Sequence, residues 1–92
     1  SIKGWIYNKK VNTQKSYPKV VLINNDEKKC YAFSTIKEYR ADLSTVCLGK
    51  GSVFAGFVCE ISLEDTYGMK GLYSVDILYN GELIETGKKI TI

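Results

Sequence analysis

The apolar residues of this chain fall into runs of about four to eight, and a turn signal follows each run roughly every ten residues. That spacing leaves no room for long helices. The clearest case lies near the C-terminus. Leu72 to Tyr79 alternates, with Tyr73, Val75, Ile77 and Tyr79 on one face and Ser74 and Asp76 on the other, the two-residue period of a strand. Asn80-Gly81 follows. A type I′ turn needs positive φ at both central residues, which Asn and Gly tolerate. Leu83 to Ile92 is then the return strand, interrupted at Thr86-Gly87-Lys88.

The same reading extends upstream. Gly4 to Tyr7 (Gly-Trp-Ile-Tyr) is a short aromatic and β-branched strand. Tyr17 to Ile23 is a continuous apolar run, too short for a helix, and so a central strand buried on both faces. Pro18 fits only near its start, where no ladder hydrogen bond is lost. Asn24 to Glu27 is a turn cluster, and Lys29 to Phe33 pairs back as a hairpin. Phe57 to Leu63 is a further strand, with Phe57, Cys59, Ile61 and Leu63 facing inward. Glu64 to Lys70 is a polar loop ended by Gly71. Between residues 35 and 48, Ile36, Tyr39, Leu43 and Val46 recur at three- and four-residue steps, so this crossover is expected to hold one short helical turn.

About seven short strands without a long helix predict an all-β fold, an antiparallel immunoglobulin-like β-sandwich. Its 92 residues suit one two-layer domain. Because the chain starts at Ser1 and ends in strand-like residues, residues 1–92 are expected to be a single domain excised from a longer protein. Cys30, Cys47 and Cys59 are odd in number and irregularly spaced. Each lies in an apolar stretch, so all three are expected to be buried free thiols, with a Cys47–Cys59 bridge as the alternative. Free thiols point to a reducing compartment.

The chemistry is constrained by omission. Without histidine, the usual general base at neutral pH and imidazole metal ligands are missing. The scattered cysteines do not match zinc-ligand spacing. Gly49-Lys50-Gly51-Ser52 lacks the strand, helix and full pattern of a phosphate loop. Glu60, Glu64, Asp65 and Asp76 read as solvated acids, Asp76 pointing outward from its strand. Lys9, Lys10, Lys15 and Lys19 near Trp5, Tyr7 and Tyr17 mix cations with aromatics, the ingredients of a nucleic-acid platform. Only Arg40 among 13 cations is arginine, however, and a net charge of +3 steers weakly. No catalytic residue, cofactor, metal, nucleic-acid partner or membrane insertion is therefore expected.

Exposed aromatics remain. Tyr73 and Tyr79 belong to a core face, whereas Tyr7, Tyr17, Tyr39 and Tyr67 have polar neighbours and suit sugar stacking. Trp5 is expected to plug the core. Arg40 and Asp42 suit a pair that holds the crossover, and Gly56 before Phe57 suits a bulge or a close backbone approach.

Several short blocks carry a resemblance: Gly4-Trp5-Ile6-Tyr7, Tyr39-Arg40-Ala41-Asp42-Leu43, Ala55-Gly56-Phe57, Met69-Lys70-Gly71-Leu72-Tyr73-Ser74-Val75 and Glu85 to Ile90. In this order they resemble the small β-sandwich accessory domain attached to bacterial glycosyltransferases and related transferases that build cell-surface polysaccharides. Ala41, Leu43 and Ala55 stand where that pattern has Pro, Val and Ser. The resemblance implies a non-catalytic accessory module that docks on the catalytic domain of its parent or helps present glycan. Its location would be cytoplasmic, held near the membrane through the parent protein. The residues singled out for ligand contact are Tyr39, Arg40, Asp42 and Tyr67. The alternatives are a carbohydrate-binding module with its own sugar affinity and an adhesin-type immunoglobulin-like repeat at the cell surface.

Overall fold

A computed structural model describes residues 1–7, 17–43 and 55–92. They form seven strands: β1 (Ile2–Trp5), β2 (Lys19–Asn24), β3 (Lys29–Ser34), β4 (Ile36–Glu38), β5 (Gly56–Cys59), β6 (Leu72–Tyr79) and β7 (Glu82–Thr91). Every pairing is antiparallel. One sheet has the order β1-β5-β4 and the other β3-β2-β6-β7. Val20 and Leu22 of β2, Phe57 and Cys59 of β5, and Tyr73, Val75, Ile77 and Tyr79 of β6 form one apolar cluster with Met69. The two sheets therefore share a core, as a β-sandwich requires.

The alternation along β6 is as the sequence predicts: Tyr73, Val75, Ile77 and Tyr79 are all buried. The Tyr73 ring meets Tyr31 of β3 at a centroid distance of 6.1 Å and an interplanar angle of 59°, a tilted pairing favoured by the ring quadrupoles. Asn80 and Gly81 both have positive φ, 51° and 79°, and turn β6 into β7. The expected interruption of β7 is a register shift between Val75 and Asp76. Gly87 takes φ 75° there. The Thr86 hydroxyl donates to the Val75 carbonyl and accepts from the Lys88 amide, fixing the bulge.

Four expectations fail at identifiable places. Cys30 is exposed, because β3 is an outer strand whose inward positions are taken by Tyr31 and Phe33. Cys59 is a buried free thiol, which removes a bridge to Cys47. Burial, aided by the charge of Glu60, pushes the Cys59 thiol pKa up. Iodoacetamide is thus expected to label Cys30 in the native protein and Cys59 only after unfolding. Peptide mapping checks this, and fast native labelling of Cys59 would contradict it.

Leu63 is 91% exposed rather than inward. The strand ends at Cys59, and Ser62 and Asp65 exchange reciprocal hydrogen bonds of 3.0 and 3.1 Å, a capping arrangement that opens a turn instead. Asp76 does face away from the core, yet it is buried on that outer face. The helical turn expected in the crossover does not include Ile36, because Ile36–Glu38 pairs with Gly56–Val58, whereas Leu43, later in the same crossover, is helical. Val46, Cys47 and the Gly49 to Ser52 segment lie outside the described residues, as do Lys9, Lys10 and Lys15.

A single residue, Thr35, carries the chain from β3 in one sheet to β4 in the other. Its buried hydroxyl donates to the Pro18 carbonyl at 2.5 Å. Lys37 then lies over the Tyr17 ring at 5.0 Å, a cation–π contact, and burial lowers its pKa.

Two buried hydroxyls, of Tyr73 and Tyr79, have no hydrogen-bond partner among the described residues. An unpaired buried polar group costs about 1–3 kcal/mol. Tyr73→Phe keeps the ring and removes that cost, so it is expected to leave stability unchanged or raise it by about 1 kcal/mol. Denaturant unfolding reads the result, and a loss above about 1 kcal/mol would show that the hydroxyl is bonded.

Candidate functional site

β5 is the middle strand of the smaller sheet, and the residues singled out in the sequence lie beyond its two ends. Tyr39, Arg40 and Asp42 follow β4, past the Glu38–Gly56 pair. Tyr67 sits in the turn after the Cys59 end. Three residue steps along β5 separate these ends, about 10 Å at the rise of a strand. The four residues singled out for ligand contact therefore fall in two separate places.

At the first place, Arg40 is held to its neighbour. Its Nε donates to Asp42 Oδ1 at 3.0 Å and its second terminal nitrogen to Asp42 Oδ2 at 2.7 Å. This is the two-pronged geometry a guanidinium favours. The shared hydrogen bonds raise the Arg40 pKa and lower that of Asp42. The pair is exposed and adds little stability. Its aliphatic stem matters more. A Cβ on Gly56 would lie 2.6 Å from Arg40 Cγ and 2.5 Å from the Glu38 carbonyl oxygen, so the absent side chain of Gly56 makes the space that Arg40 and β4 occupy. Tyr39, 66% exposed, stands beside this pair. At the second place Tyr67 is 92% exposed at the tip of its turn.

Two further features were not visible in the sequence. The first lies on the outer face of the larger sheet, where Asp76 and Glu85 are cross-strand partners. They line an open recess of about 280 Å³ with Ser74, Lys88 and Lys89. The second is a groove of about 370 Å³ along one side of the sandwich. β1 forms one bank and the Thr86 to Ile90 part of β7 the other. Ile2, Phe57, Val75, Ile77 and Ile90 supply its apolar lining, and Trp5, Lys3, Lys88 and Lys89 also border it.

The groove exists because β1 and β7 are outer strands of their sheets: among the described residues, β1 pairs only with β5 and β7 only with β6. It also explains Trp5. The expected core plug is 45% exposed, because it sits on a four-residue outer strand at the mouth of the groove. Gly4 contributes from beneath. It faces Phe57 across the ladder, and a Cβ there would lie 3.1 Å from the Phe57 ring, so glycine lets that ring reach under β1.

Among the described residues no group of three or more His, Cys, Asp or Glu converges to hold a metal ion, and no helix is long and apolar enough to cross a membrane. What the arrangement offers chemically is a surface: an apolar trough, banks formed by strands that are outermost among the described residues, and lysines at the rim. Comparison of the chain with protein-family models, with curated proteins and with solved structures finds no match.

Proposed function

We propose that this chain is a non-catalytic accessory module of a bacterial surface-polysaccharide transferase, working on the cytoplasmic side and docking on its catalytic neighbour. The observation that carries this reading is the groove between β1 and β7. A contiguous apolar strip on a small domain marks a surface that something else covers.

We read the sandwich as immunoglobulin-like on the strength of its strand order. Taking β1 to β7 as strands B, C, C′, D, E, F and G accounts for both sheets, BED and C′CFG. The position of strand A, beside β1, then has no described strand, and the groove lies there.

The test is deletion of the domain from the full-length parent. Loss of parent stability or altered acceptor use, with no turnover by the 92-residue chain alone, is the expected result. Hydrolase or transferase activity in the isolated chain would overturn the reading.

A second reading, a carbohydrate-binding module, is favoured by the exposed rings of Trp5, Tyr39 and Tyr67. It requires calorimetric binding of bacterial polysaccharide fragments that is lost in Tyr39→Ala or Arg40→Ala. Absence of binding across such fragments returns the assignment to docking.

A further inference from the structure

Resting on the docking reading above, we infer that the β1–β7 groove receives an extended polypeptide segment from the partner. That segment pairs with the outer edge of β7, which has no partner strand among the described residues, and alternates apolar with acidic residues.

Three observations fix the chemistry of the occupant. The banks are strand edges, so a strand entering the groove finds main-chain donors and acceptors as well as side chains. This is recognition by strand addition, where the backbone supplies affinity and alternate side chains supply specificity. The floor is apolar, built from Ile2, Phe57, Val75, Ile77 and Ile90, which suits every second residue of the entering strand. The charged residues lining the groove are Lys3, Lys88 and Lys89, with no acid among them. Lys3 is already engaged, at 3.9 Å from Glu38, whereas Lys88 and Lys89 are exposed and lie on the β7 bank itself.

The β7 lysines also argue against a second copy of this chain. Exposed lysine on an outer strand is a common guard against edge-to-edge association. Two β7 edges paired about Lys88 and Lys89 would set lysines against lysines. An acidic strand meets the same residues as counter-charges, so the guard against self-association acts as a selector. β7 is the bank of choice because it is ten residues long, against four for β1.

The experiment uses two nine-residue peptides, blocked at both termini, one alternating valine with glutamate and one valine with lysine. Each is titrated into the 92-residue chain at low salt, with shifts and amide exchange followed by NMR. The glutamate peptide is expected to bind at least roughly tenfold more tightly, to slow exchange at Lys88 to Thr91, and to weaken as salt rises. The double variant Lys88→Glu/Lys89→Glu is expected to reverse the preference, with its unfolding midpoint measured alongside because both lysines also border the recess of Asp76 and Glu85. Loss of the glutamate preference in a variant that still folds supports the inference, and a folded variant with the preference unchanged overturns it. Equal binding of both peptides, shifts that avoid β7, or edge amides of β7 already protected in the free chain would each overturn the inference. So would concentration-dependent protection without peptide, which would assign the groove to a second copy. Failure of peptide binding leaves the accessory-domain reading untouched, since that reading is decided by the deletion.

Discussion

Leu22→Ala is expected to destabilise this domain by about 2–5 kcal/mol, the usual range for deleting a buried leucine side chain. Leu22 is fully buried in β2, which is flanked by β3 and β6. It has structure on every side and no flexible neighbour to collapse into the space it leaves. A domain of 92 residues has a total stability of only about 5–14 kcal/mol by the usual per-residue figure. One methyl-rich side chain is thus a large share of the whole. The melting temperature is expected to fall by roughly 8–40 °C, at about 4–8 °C for each kcal/mol. Thermal unfolding followed by circular dichroism reads this directly. A loss below about 1 kcal/mol would mean that β2 is not the centre of the packed core. Val21, the preceding residue, points to the opposite face and should cost less when truncated.

Gly56→Ala is the second large effect, and it works by addition rather than removal. The new methyl would enter space held by the Glu38 carbonyl and the Arg40 stem. The carbonyl belongs to backbone and cannot swing aside, so β4 must move away from β5. Overpacking of this kind costs about 1–3 kcal/mol or more. The damage should be local. Amide exchange is expected to quicken across β4 and β5 while the β2–β6–β7 ladders keep their protection, a pattern of sub-global opening. Uniform loss of protection across both sheets would contradict this. Gly4→Ala offers the comparison, because there the nearest atom is the edge of the Phe57 ring, which has more freedom to shift.

Much of the larger sheet is legible in the sequence because its signals are local. The alternation of Tyr73, Val75, Ile77 and Tyr79, the Asn80-Gly81 turn and the Gly87 interruption each depend on neighbours a few residues away. Gly56 was readable as a close approach for the same reason. The misreadings share a different cause. Trp5, Cys30 and Ile36 lie on β1, β3 and β4, all outer strands, and a short apolar run does not disclose whether its strand will be flanked on both sides. Leu63 continues the two-residue rhythm of β5, but the Ser-x-x-Asp cap at Ser62 and Asp65 overrides it. That spacing was a signal in plain view.

The candidate groove was harder to foresee. Its banks come from opposite ends of the chain, and nothing in either segment alone announces that they will face each other across a gap. Tyr39, Arg40, Asp42 and Tyr67 were singled out one by one, and only the register of β5 shows that Tyr67 stands apart from the other three.

The joint at Thr35 has a mechanical consequence. With one residue between β3 and β4, and that residue fastened to Pro18, the link has no slack. A tug on β4 is delivered to the start of β2 rather than absorbed by a loop. Neither layer can then slide or rotate far against the other at this corner, and a load taken up along one sheet is passed to the other. In the docking role proposed above, such stiffness would turn a local hold into a fixed orientation.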